Sequence, residues 1–211
     1  MDFFLSRLRR GLAPDMASLE HLAALSESLG AAVDRVAQML GSTTGQSADL
    51  EVALNSIDAD ATSRHMALMT SLRSAFISPL PRQDLYQFSD LLNRAVEQVC
   101  NAGLLIRATE QFRLPAPAMD LLEILGRQAE LFTAATGQFR DLDAVEETWI
   151  QMQRACKRSD RILTTWISGM SGDLLQRTYH QQREVAHSLE STVDTLRDLV
   201  SHLGRVLVRE S

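Results

Sequence analysis

An all-α fold is predicted for this 211-residue chain from three observations. Apolar residues recur at spacings of three and four through nearly the whole sequence, the signature of helices that bury one face. Glycine and proline total only 15 residues, and Gly41, Gly45, Pro79, Pro81, Pro115, Pro117, Gly169 and Gly172 fall between the periodic stretches. Methionine is frequent while aromatic residues make up 5%, a mixture that fills gaps between helices better than it stacks sheets. At 45% apolar residues a sizeable core can form, in one large helical domain or two small ones.

Six helices follow in order. Leu12, Met16, Leu19, Leu22, Leu29, Val33, Val36 and Leu40 predict the first over residues 13–40, and the run GSTTGQS at 41–47 stops it. Leu50, Leu54, Ile57, Ala61, His65, Leu68, Leu72 and Phe76 make the second, a rod about 45 Å long that needs a long neighbour. Pro79 and Pro81 end it, because each lacks an N–H and restricts the residue before it. Pro81 suits the first turn of the next helix, and Asp84 sits near its positive end. The third helix runs through Leu85, Phe88, Leu92, Val96, Val99 and Leu105 to about Phe112.

The segment LPAPA at 114–118 is the strongest internal boundary. A fourth helix follows through Leu122, Leu125, Ala129, Phe132 and Phe139, then a fifth through Val145, Trp149, Met152, Cys156, Leu163 and Trp166. Gly169 and Gly172 bracket the next turn, and Val185 to Leu207 form the sixth. Each half has a medium helix, a longer one, a Pro or Gly turn and a long return helix, a layout that predicts tandem three-helix bundles over 1–114 and 115–211. The two together can also form one continuous domain.

Composition narrows function by exclusion. The formal charge is −6, which disfavours nonspecific nucleic-acid binding. Lys157 is the sole lysine among 21 basic residues. Cys100 and Cys156 are too few for a disulfide framework and form no CxxC pair, which points to a reducing compartment. The start MDFFLSRLRRGL lacks a signal-peptide core and no run of 18 apolar residues occurs, so a cytosolic protein is expected. Its amphipathic start suits contact with a membrane or a partner.

Catalytic signatures are missing from the sequence. His21, His65, His180, His187 and His202 are scattered, with no HExxH run. His65 falls on the seam of the second helix, where a hydrogen-bonded structural histidine is expected, and Cys156 is in phase with Trp149, Met152 and Leu163 as a buried small hydrophobe. Gly41, Gly45, Gly169 and Gly172 read as helix stops rather than a phosphate cradle. Arg9, Arg10, Arg205 and Arg209 read as solvated helix termini. Four i,i+4 pairs present oxygen or sulfur ligands along one helical face: Asp58 with Thr62, Asn93 with Glu97, Cys156 with Asp160, and Asp194 with Asp198. Two carboxylates so placed can share a cation if a neighbouring helix adds ligands. A solvated acidic face is the simpler account from spacing alone.

The turn Phe76-Ile-Ser-Pro-Leu-Pro-Arg-Gln-Asp-Leu-Tyr86 resembles the FITPFDREDIY-type motif of PhoU-like proteins, in the branch of phosphate transport regulators that accompany Pit-type transporters. Phe3 and Phe4 at the start, six helices, and Val206, Leu207, Val208 and Arg209 at the end extend the likeness in outline. The resemblance implies a PhoU-like six-helix architecture of two antiparallel three-helix bundles. It also implies ExxxD-type metal motifs, which fall on the four pairs above; each of the first three pairs lacks one carboxylate. Asp194, Asp198, Asp160, Asp58 and Glu97 are therefore the candidate metal ligands, with any divalent or trivalent ion expected in the C-terminal half.

As a function, the resemblance implies a non-enzymatic accessory or regulatory protein that docks on a Pit-type phosphate transporter or a signalling partner, at the inner face of the membrane. Self-association fits the same apolar stripes. A metal-dependent hydrolase using the residual carboxylates and a purely structural helical oligomer are the alternatives.

Overall fold

The computed structural model of the protein describes residues 16–75, 77–139, 141–170 and 175–210. Within them the chain is an all-α bundle of six helices without strands: α1 (Ala17–Met39), α2 (Thr44–Ser74), α3 (Arg82–Thr109), α4 (Ala116–Gln138), α5 (Leu142–Gly169) and α6 (Gln176–Glu210). Phe3, Phe4, Arg9, Arg10, Leu12, Phe76 and Gly172 lie outside the described residues.

Local chemistry places the ends. Gly41, at φ +90°, breaks the chain after α1, and its N–H donates to the carbonyl of Phe112 at 2.6 Å. Helix α2 begins earlier than its apolar pattern suggests. The backbone N–H of Thr43 donates to Gln46 Oε1 at 3.1 Å, the returning half of a capping box, so much of the predicted stop at 41–47 is the first turn of the helix. Ser74 ends α2, and Pro81 caps α3 at backbone angles outside the helical region. Glu110, at φ 53°, ends α3, and extended Pro115 leads into α4. Asp141 caps α5 by accepting from the N–H of Ala144 at 3.2 Å.

Helix α1 packs on α2, α3 and α4, and α3 also packs on α2 and α6; α5 rests on α4 and α6, which touch each other only marginally. The α1 and α4 helices run antiparallel. Ser26 Oγ donates to the carbonyl of Ala129 at 2.7 Å, while a Cβ on Gly126 would lie 3.7 Å from Val33. Helices α3 and α6 are antiparallel too: Ser188 Oγ donates to the carbonyl of Gln98 and Thr195 Oγ1 to its side-chain oxygen, and Asp84 meets His202. One contiguous apolar core joins all six helices, with Phe88 of α3 against Phe132 and Phe139 at its centre. Helix α2 buries a narrow stripe at intervals of seven, Ser47, Leu54, Ala61 and Leu68, and leaves Val52 and Met66 exposed.

In both halves a glycine of the returning helix receives a large side chain from the helix before it. A Cβ on Gly103 would lie 2.4 Å from Leu54 Cδ1 and 3.1 Å from Val36 Cγ2. At Gly204 the same atom would lie 2.9 Å from Nε1 of Trp149, which donates to the carbonyl of Val200 at 3.0 Å. Gly103→Ala is expected to destabilise by about 1 kcal/mol, because overpacking of about 1–3 kcal/mol outweighs the gain in helix propensity. Gly137→Ala, with nothing within 4 Å of the added carbon, should instead stabilise by about 0.5 kcal/mol. Urea unfolding of the two variants checks the opposite signs.

Candidate functional site

The predicted ligands come together only in part, and an arginine lies between them. Arg197 of α6 hydrogen-bonds through Nη2 to Asp160 of α5 and through Nη1 to Asp194, three residues before it. Burial works against the charge of Arg197, but the hydrogen bond to Asp194 and the charges of Asp160 and Asp194 outweigh it and hold the guanidinium above its already high pKa. These residues line a cleft of about 410 Å³ with Glu190, Leu163, Thr164, Ile167 and Ser168. Glu190 is itself 3.5 Å from Arg183 and 3.6 Å from His187. Asp198, one turn further along α6, is exposed.

The N-terminal candidates are less closely joined. His65 meets Ser89 at 2.7 Å and Cys100 Sγ lies 3.6 Å from the carbonyl of Leu54, so the segment carrying Asp58 and Thr62 is bracketed by contacts with α3. Asp58 is half-buried and its charge reaches Cys100, whereas Glu97 is exposed. Asn93, which stands at the motif position before Glu97, has a buried Oδ1 without a hydrogen-bond partner.

A hard cation takes six or more oxygen ligands, and a transition metal site at least three protein donors. Among the described residues no group of three or more His, Cys, Asp or Glu side chains is gathered to hold a metal ion. The two carboxylates from different helices that do meet are already shared by a guanidinium. This donor set does not fit a metal cluster.

A second charged node joins the start of α3 to the end of α6. Asp84 is 4% exposed; its Oδ2 accepts from Arg209, and its Oδ1 lies 3.2 Å from His202 Nε2. The His202 contact is electrostatic, since the ring nitrogen is off the hydrogen-bonding direction. Arg205 lies 3.1 Å from His202 Nδ1, and a guanidinium can only donate, so Nδ1 accepts and the neutral ring carries its proton on Nε2. The edge of the ring meets Phe88 at 4.7 Å between centroids. Asp84 thus does more than favour a helix end, and Arg209 is an ion-pair partner rather than a solvated terminus. Both roles are long-range, between residues 125 apart in sequence, and no local pattern marks them.

Burial lowers the pKa of His202, Asp84 pulls it up, and Arg205 and Arg209 push it down, for a net depression. The unfolded chain therefore binds the proton more readily, and acid favours unfolding. Stability should fall as pH drops below about 6.5 toward the depressed folded value. His202→Gln should flatten that part of the profile relative to the native chain, as read from urea midpoints at pH 7.5 and 5.5.

The remaining candidates are structural. His65, bonded to Ser89 and tilted against Tyr86 at 6.1 Å, is a packed polar contact as expected. Burial pushes the Cys156 thiol up to about 11, and burial with the charge of Asp58 pushes Cys100 up to about 12; both are held as thiols at neutral pH. Among the described residues no helix is long and apolar enough to cross a membrane. No protein-family model matches the chain, and no curated protein matches it.

Proposed function

We propose that this protein is a non-enzymatic accessory protein of inorganic phosphate transport, PhoU-like in arrangement, that docks a helical surface on a Pit-type transporter or an associated signalling protein. The observation that carries the reading is the turn from Ser74 to Tyr86, whose sequence resembles the PhoU-like motif. The structure supports a structural reason for its aspartate: Asp84 anchors the end of α6 through Arg209 and His202. One continuous domain of two matched halves, 1–114 and 115–211, is supported by the contacts of α1 with α4 and of α3 with α6, which join the halves, and by the matched glycines at 103 and 204.

A binding role rather than turnover is supported by how the charged groups are used. Arg197 is paired with Asp160 and Asp194 and Arg209 with Asp84, and burial raises the two thiols out of the reactive range. Val52 and Met66, two heptads apart, are the exposed large apolar side chains of α2 among the described residues and the contacts proposed for docking. The setting is the cytoplasmic face of the membrane, with self-association a compatible second use of these contacts.

Co-purification with a Pit-type transporter from the same cell tests the proposal. Association should be retained by the native chain and lost in Val52→Asp with Met66→Asp while circular dichroism keeps full helicity. A folded chain that leaves the solubilised transporter behind under all ionic strengths counts against it.

A further inference from the structure

The same α5–α6 cleft that fails to fit a metal cluster has a positive charge of its own. We infer that Arg197 is the resident cation of this cleft, supplying covalently the charge that a metal ion would bring to Asp160 and Asp194. Three observations carry this. Asp160 and Asp194 stand on different helices, and the two arms of a single guanidinium reach both. The planar fork suits two carboxylates at once and stays charged at every physiological pH. Glu190, the third carboxylate of the cleft, is drawn to Arg183 rather than toward the pair.

The cation has a place in the architecture. Helices α4 and α6 scarcely touch, so α5 reaches α6 through its own interface, and the Arg197 bridge clips that interface at its exposed edge. A metal in this position would bind and leave with supply and pH. A guanidinium does neither, which makes the α5–α6 clip independent of metal. The inference stands whether or not the chain docks on a transporter, because it concerns only what holds these two helices.

The test is a Mn²⁺ titration of the full chain in metal-free buffer, with free Mn²⁺ counted by electron paramagnetic resonance. The native chain and Arg197→Lys should bind no Mn²⁺ above the background of scattered surface carboxylates. Arg197→Gln leaves Asp160 and Asp194 as two donors where a metal site takes at least three, and should bind no more Mn²⁺ than that background. Thermal unfolding gives a second readout: Arg197→Gln should melt lower than the native chain with or without Mn²⁺, and Arg197→Lys should lie between the two. A tight, stoichiometric site in the native chain that Asp194→Asn abolishes overturns the inference. So does Arg197→Gln that keeps native helicity and melts with the native chain; Arg197→Met is read by the same criteria if the Gln variant does not fold.

Discussion

Phe88→Ala is expected to lower the unfolding free energy by about 3–5 kcal/mol. Phe88 is fully buried and touches Phe132 at 5.3 Å, Phe139 at 6.0 Å and His202 at 4.7 Å between ring centroids. It therefore ties α3 to α4 and to α6, where the two halves of the chain meet. Its loss removes buried area and leaves a cavity that three helices must collapse to fill. Phe88→Leu, which keeps most of the volume, should cost about 1 kcal/mol. Urea unfolding of both variants checks the difference; a loss below about 1 kcal/mol for alanine would mean that the halves do not depend on this junction.

Asp84→Asn should cost about 2 kcal/mol and lower the melting temperature by about 4–8 °C. Asp84 is buried and accepts from Arg209, whose side chain is 51% exposed. Solvent takes over part of the arginine's requirement when the carboxylate is lost, so the effect is smaller than for a fully buried pair. The amide keeps the shape but not the charge, so the change isolates the electrostatic part of the node. Arg209→Gln should cost more than Asp84→Asn, because it leaves the buried carboxylate charged beside a neutral His202. Equal losses would place the whole effect in the ion pair. No loss for Asp84→Asn would show that the end of α6 is held by packing alone.

The helices are readable in the sequence because each except α2, which buries a narrow stripe, buries a broad apolar face, and the periodicity of Leu22, Leu29, Val33 and Val36 or of Phe88, Leu92, Val96 and Val99 follows directly from that burial. The start of α2 is not, because Thr44 to Asp49 carry little apolar signal and the capping box decides the turn instead. Of the candidate ligands, Asp160 and Asp194 share one partner, Arg197, which carboxylate spacing does not mark. Arg197 stands at i+3 from Asp194, a spacing that marks a same-face pair; its reach to Asp160 depends on helix packing, which sequence spacing does not contain. The partners of Asp84 were hidden for the same reason. Both omissions are long-range ion pairs, where the sequence shows two charges and the fold supplies the distance.

The functional account joins two features that act at different places. Asp84 in the first turn of α3 holds the end of α6, and the proposed docking uses the exposed Val52 and Met66 of α2. An accessory role follows if a transporter is the partner. The most direct measurement is phosphate uptake by membrane vesicles containing a purified Pit-type transporter, with the chain added on the cytoplasmic side. The account predicts a saturable change in uptake rate that Val52→Asp with Met66→Asp removes and that does not require hydrolysis of any phosphate ester. An uptake rate unchanged at saturating folded chain, with no chain bound to the vesicles, would contradict it.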